Sequence, residues 1–318
     1  MNKFILSTAI VALSLTWMSC QESGLKKTKG GMPYQLFTDA KKPKVKMGGF
    51  LKLAITQSIN DSIVYTSAGK LPNYIPVLNQ TAPYDLSELW SELRLGDSVV
   101  ATQMMDTFIN RQNGNIPPPF KKGDRITTKV KVLGIFDNDS LHKIDAQKEF
   151  DAFKNKEIKE VETYAKKSDP NVSKTPNGVY VQVLKPGVGN LIDTGKYVSV
   201  SYTGKTFDDK VFDSNVDTSF HHTEPLNFTV GAGQMIPGFD EGIRLLRPGG
   251  QAIFYIPSLL GYGAGGSGSI KPYAHLKFKV EVLSVQDKAP EAPRAAQDAV
   301  PTPTPSPSSK KPSTKGGN

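Results

Sequence analysis

The chain has 318 residues, 38% of them hydrophobic and 22% charged, with a formal net charge of +9. That length fits about two domains of roughly 150 residues, and the composition excludes a wholly disordered, collagen-like or multi-span membrane protein. Lysines are spread along the whole chain, so the positive excess defines no nucleic-acid surface and no nucleic-acid partner is expected. A single cysteine excludes an intramolecular disulfide and a cysteine-clustered zinc site.

The first twenty residues read MNKFILSTAIVALSLTWMSC. Lys3 supplies a positive start, and Phe4 to Met18 is apolar but short for a membrane span. Small Ser19 precedes Cys20, after which the chain turns polar at Gln21 and Glu22. The pattern resembles a bacterial lipoprotein signal, with Trp17 where the usual motif carries Leu. That resemblance implies a signal peptide over residues 1–19, a lipid on Cys20, export, and anchorage to a cell-envelope membrane, expected to be the periplasm-facing outer membrane. An ordinary secretory signal with an incidental cysteine is the plainer alternative. Residues 20–29 then read as a linker. At the far end, residues 288–318 alternate Thr-Pro and Ser-Pro without apolar periodicity, the composition of a disordered tail.

Between the ends, chain order gives two similar series. Gly30 to Phe37, Lys46 to Thr56 and Ser62 to Ser67 read as strands, and Leu86 to Leu93 has helical spacing. Leu95-Gly96-Asp97 leads to a strand at Ser98 to Met104, and after Pro117–Phe120 the run KGDRITTKVKVLGIF predicts a long closing strand. From Asp137 to Asp169, Leu141, Ile144, Phe150, Phe153, Ile158, Val161 and Tyr164 recur at threes and fours. An amphipathic helix is expected there, capped near Asn138–Ser140 and ended by Pro170, its stripe packing on the flanking domains. The second series has strands at Gly178 to Lys185, Lys196 to Tyr202 and, after a turn at Asp208-Asp209, Val211-Phe212. Leu226 to Val230 follows, then a helix at Gly238 to Leu246 stopped by Pro248-Gly249-Gly250, and strands at Gln251 to Ile256 and Ala274 to Val285. The fold class is α+β, an antiparallel sheet wrapped on a short helix.

Four motifs in the second series carry a resemblance: VSYTG at Val200–Gly204, VFDS at Val211–Ser214, MIPGFDEGI at Met235–Ile243 and GYGAGG at Gly261–Gly266. In this order and spacing they are similar to the FKBP-type peptidyl-prolyl isomerases. The resemblance implies two half-barrel sheets: an isomerase domain over residues 173–287 and a degenerate copy over residues 30–136, joined by a helical linker at 137–172. The period of about 150 residues marks a domain duplication. Tyr65-Thr66-Ser67 is taken as the counterpart of Phe212-Asp213-Ser214, so the motif chemistry does not repeat.

Turning a prolyl amide meets a barrier of ~18–20 kcal/mol because resonance must be broken. It needs no nucleophile, metal or cofactor, and none is expected. The twisted amide carries less charge on its oxygen, so a dry aromatic pocket with a few oriented polar groups suffices. The resemblance implies Asp213, Tyr202, Phe212 and Tyr262 as catalytic residues, Asp213 being a buried carboxylate held by Tyr202. Met235, Ile236, Phe239, Leu226, Ile270 and Phe278 are implied as substrate-binding, with Phe239 as the floor under the proline ring and Ile270 at the lip. Singly, each aromatic on an alternating strand would read as core. His221-His222 reads as a solvated loop and not a metal site. The implied partners are proline-containing polypeptides, and the rate is expected to be flat between about pH 6 and pH 8 because no proton moves. A proline-binding chaperone with little turnover, or an envelope scaffold, is the alternative function.

Overall fold

The structure is a computed structural model and describes residues 21–22, 24–111 and 120–290. Cys20, the apolar leader and the tail beyond Pro290 lie outside the described residues. The chain divides into two compact units between Tyr164 and Ala165, each built on its own sheet.

The first unit contains β1 (Gln21–Glu22), β2 (Lys26–Lys27), β3 (Pro33–Thr38), β4 (Phe50–Ile59), β5 (Ser62–Thr66), β6 (Asn73–Pro76), β7 (Ser98–Met104) and β8 (Arg125–Phe136). They lie in the order β1-β3-β7-β8-β4-β5, with β2 on β3 and β6 on β4. A 3-10 helix spans Leu86–Glu92, followed later by α1 (Met105–Arg111) and α2 (Asp139–Ser168). The second unit contains β9 (Ser173–Lys174), β10 (Tyr180–Lys185), β11 (Tyr197–Thr206), β12 (Val211–Ser214), β13 (Leu226–Thr229), α3 (Pro237–Ile243), β14 (Gln251–Ile256) and β15 (Leu276–Gln286). Its order is β12-β11-β15-β14-β10-β9, with β13 on β11.

Read from opposite ends, the two orders match from β3 and β10 onward. Strand β4 stands for β11, β5 for β12, β6 for β13, β7 for β14 and β8 for β15. The agreement extends to irregularities. Each long strand slips register against its closing strand after its third residue, at Lys52/Leu53 and at Ser199/Val200. Each slips again against its hairpin partner after the eighth, at Gln57/Ser58 and Gly204/Lys205. A threonine brackets the helix in both: Thr28 donates to Glu88 and accepts from Met32 N–H, and Thr175 donates to Glu241 and accepts from Val179 N–H.

Period-two burial explains the strands. Val198, Val200, Tyr202 and Gly204 turn inward on β11, as do Ile126, Thr128, Val130 and Val132 on β8. Each unit closes over its own core, one centred on Phe239, Phe254 and Phe228, the other on Leu51, Leu53 and Leu93.

Several expectations are corrected. The 20–29 segment is not only linker, since Lys26 and Lys27 pair with Tyr34 and Pro33. The α3 helix ends at Ile243, with Arg244 as its cap. The α2 stripe is not buried where it begins: Leu141 and Ile144 are exposed. Polar groups hold that end instead. His142 stacks on Phe50, and Lys52 binds Asp145 and Glu149, each at 2.7 Å. Asp145 also accepts from the Tyr74 hydroxyl at 2.5 Å. Apolar spacing alone cannot foresee a helix anchored through its charged face. The start of α2 therefore belongs to the first unit and is not a free linker.

Glu88 ties that unit together. Its carboxylate accepts from Thr28 Oγ1 at 2.8 Å, Gly30 N–H at 2.7 Å and Tyr84 N–H at 2.8 Å, and completes a capping box with Asp85. Burial raises its pKa, but these donors outweigh burial and hold it below the ordinary glutamate value. The resulting stability is present above the unfolded pKa of about 4.3 and is lost as pH falls through the lower folded value. Glu88→Gln should cost the first unit about 1–3 kcal/mol at neutral pH. Urea unfolding followed by Trp90 fluorescence should show that gap narrowing towards pH 3; an equal gap at both pH values contradicts the assignment.

Candidate functional site

The site begins with a β-bulge. Gly204 pairs with Asp213 and Lys205 with Val211, leaving Phe212 as the extra residue of β12. A bulge re-aims side chains at a strand edge, and here Phe212 and Asp213, though adjacent, both line one cavity. Across the sheet the same row runs Asp213, Gly204, Phe278, Phe254 and Val181. Gly204 is required there: a Cβ would lie 2.7 Å from the Phe212 ring and 2.8 Å from the Phe278 ring.

The cavity holds about 430 Å³ and is lined by Tyr202, Phe212, Leu226, Met235, Phe239 and Phe278, with Asp213, Ile236 and Tyr262 also on its wall. Phe239 is fully buried at its centre, edge-on to Phe278 at 5.2 Å and Phe254 at 5.6 Å between centroids. Such edge-to-face pairs fix ring positions. Gly238 lets α3 press against β14, since a Cβ would meet Ile256 at 2.3 Å.

The polar groups are few. Tyr202 lies diagonally across from Asp213 on the same face, and its hydroxyl donates to Asp213 Oδ2 at 2.5 Å. Burial, then the hydrogen bond and charge of Asp213, push the Tyr202 phenol well above its ordinary pKa. Burial and then Asp213 raise the Tyr262 phenol as well. Both remain neutral donors at physiological pH. Among the described residues no cluster of His, Cys, Asp and Glu suits a metal ion.

Nine of the ten expected pocket residues converge on this cavity. Ile270 does not: it is 6% exposed and belongs to the packed core. Asp213 is also less enclosed than expected, with its side chain 37% exposed. Gln234 and Pro237 line the cavity without having been singled out; they flank Met235-Ile236, so that motif could have extended to them. His222, read as solvated loop, is exposed there and also lies 2.7 Å from Asp213 Oδ1. No periodicity signals a contact across nine residues of irregular chain.

Register identifies what occupies these places in the first unit. Ile55 stands where Tyr202 does, Gln57 for Gly204, Val64 for Phe212, Tyr65 for Asp213, Ala101 for Phe254 and Thr128 for Phe278. Tyr65 is thus the counterpart of Asp213, one residue off the sequence alignment, because Ser67 takes the role of Asn215. Ser67 Oγ accepts from Ile55 N–H as Asn215 Oδ1 accepts from Tyr202 N–H. Gln57 fills the gap that Gly204 leaves and reaches Thr128 Oγ1 at 3.4 Å.

The cavity is thus apolar, with one carboxylate and two neutral phenols on its wall. The family model described as FKBP-type peptidyl-prolyl cis-trans isomerase matches residues 189–283. An FK506-binding protein of Neisseria meningitidis serogroup B is 40% identical over 111 residues, which span 35% of this chain and 98% of that protein. The FKBP-type peptidyl-prolyl cis-trans isomerase FkpA of Aeromonas hydrophila is 36% identical over 165 residues, covering 52% of this chain and 59% of that one. The crystal structure of FkpA from Escherichia coli matches with a TM-score of 0.36 and 31% identity, over 45% of this chain and 66% of that chain. The chain belongs to the FKBP-type peptidyl-prolyl cis-trans isomerase family, and the isomerase family match falls within its second unit.

The Gly204 position gives a direct test of the cage. Gly204→Ala forces Phe212 and Phe278 apart, an overpacking that costs about 1–3 kcal/mol. Isomerase kcat/KM should fall while circular dichroism stays native. Unchanged kcat/KM in a folded variant would separate the two rings from activity.

Proposed function

We propose that the chain is an exported prolyl isomerase that accelerates folding of cell-envelope proteins, with its activity confined to the second unit. The carrying observation is the Tyr202–Asp213 pair set in an aromatic cavity, at a place where the repeated first unit has Ile55 and Tyr65. Residues 30–136 are then a degenerate copy of the isomerase domain, kept as a spacer or binding element.

The proline ring sits on Phe239 between Phe212, Phe278 and Leu226, and the chain flanking it runs along Met235 and Ile236. The Tyr262 hydroxyl donates to a substrate carbonyl. The apolar walls strip water from the planar amide, whose oxygen carries more negative charge than that of the twisted form, and so favour twisting. Asp213 acts through its field at the carbonyl, and Tyr202 fixes its orientation. Every ~1.4 kcal/mol of difference between planar and twisted forms is tenfold in rate.

Phe212→Ala and Asp213→Asn should each lower kcat/KM on a proline tetrapeptide about tenfold or more, the equivalent of ~1.4 kcal/mol. A fragment of residues 30–136 should show no turnover. Full activity in both variants, or turnover by the fragment, sinks the assignment.

The leader supports a lipid anchor at Cys20, which places the protein on an envelope membrane, the outer membrane facing the periplasm by preference. Labelled palmitate should enter the chain in bacterial cells and be absent from Cys20→Ala. Label kept by that variant contradicts the anchor.

A further inference from the structure

The loop after Asp213 is tied down at both ends. Ser214 Oγ accepts from the backbone N–H groups of Val216 and Asp217, both at 3.1 Å. Asp217 caps a 3-10 turn at Thr218–Phe220, accepting from Ser219 N–H at 2.9 Å, and His221 closes it in the left-handed conformation at φ 59°. Asn215 Nδ2 then donates to the Glu224 carbonyl at 3.2 Å. This path brings His222 Nε2 to 2.7 Å from Asp213 Oδ1, the oxygen that Tyr202 leaves open. A carboxylate oxygen only accepts, so the imidazole donates through Nε2 in either charge state. The His222 and Asp213 side chains are 47% and 37% exposed, which places the contact at the rim of the cavity, in reach of solvent protons.

We propose that His222 is a positioning residue for prolyl rotation: it clamps Asp213 from the side opposite Tyr202, and its charge state sets the charge this wall presents to the bound amide. The inference rests on the prolyl-pocket reading. An uncompensated carboxylate repels the partial negative charge on the planar amide oxygen, and twisting removes that charge. An imidazolium beside Asp213 cancels the repulsion and with it part of the advantage of the twisted form. The enzyme is therefore slower in acid, although the reaction itself moves no proton; the flat profile expected from the reaction alone gives way to one with a step.

The titratable groups facing Asp213 are Tyr202 from β11, Tyr262 from the loop after β14, and His222, while His221 and Glu224 flank His222 in its own loop. Burial and then Asp213 keep both phenols protonated. The two adjacent histidines must then be told apart by substitution.

The test uses the full chain, a capped proline tetrapeptide and a protease-free exchange assay, so that no coupling enzyme adds its own pH dependence. Wild-type kcat/KM should rise about threefold to tenfold between about pH 5.5 and about pH 8. His222→Gln, which keeps a neutral donor, should be active without the rise, and His221→Gln should retain it. His222→Ala, which removes the donor, should be slower than His222→Gln at the higher pH. A flat wild-type profile, an equal rise in His222→Gln, or a rise lost in His221→Gln overturns the inference while leaving the isomerase reading intact. Absence of turnover at every pH overturns both.

Discussion

One extra residue in β12 is the constraint on which the second unit's site depends. In a regular hairpin Phe212 and Asp213 would point to opposite faces, one of them lost to solvent. The bulge at Gly204/Lys205 turns both into the cavity. It also sets Asp213 opposite Gly204, diagonal to Tyr202, at a distance that a phenol spans. A side chain at position 204 would refill the space that the bulge opens. The carboxylate, its hydroxyl partner and the open volume beside them thus follow from one irregularity and one glycine.

The first unit shows that the irregularity alone is not enough. It has the same sheet order, the same two slips and the same threonine–glutamate bracket around its helix. Yet at the Gly204 position it carries Gln57, and the row beside it reads Tyr65, Thr128 and Ala101 instead of Asp213, Phe278 and Phe254. The scaffold survives because backbone pairing and the inward aliphatic stripes survive, as with Leu51, Leu53, Val130 and Val132. What differs between the units is a handful of side chains on that scaffold.

Much of this was legible in the sequence, for physical reasons that differ by element. Strands such as Ser98–Met104 and Gln251–Ile256 match their expected limits because one face is buried and alternation records it. The pocket aromatics were found only as a linked set, since each ring alone reads as core. The misassigned partner of Asp213 came from aligning residues by spacing, when the bulge and Ser67 fix the register. Only the start of α2 departs from the expected stripe, because Lys52, Asp145 and Glu149 pair across 93 to 97 positions of chain, where periodicity carries no information. His222 was passed over for the same reason: its partner is set by the path of an irregular loop.

On the function proposed above, one of two like scaffolds binds the prolyl segment, between Phe239 and the Tyr202–Asp213 pair. Backbone and aromatic NMR shifts of the whole chain, followed during titration with a proline tetrapeptide, test this most directly. Saturable shifts are expected at Tyr202, Phe212, Asp213, Met235, Ile236, Phe239 and Tyr262, and none at Ile55, Gln57 or Tyr65. Shifts centred on the first unit, or absent from the Phe239 cavity, would contradict it.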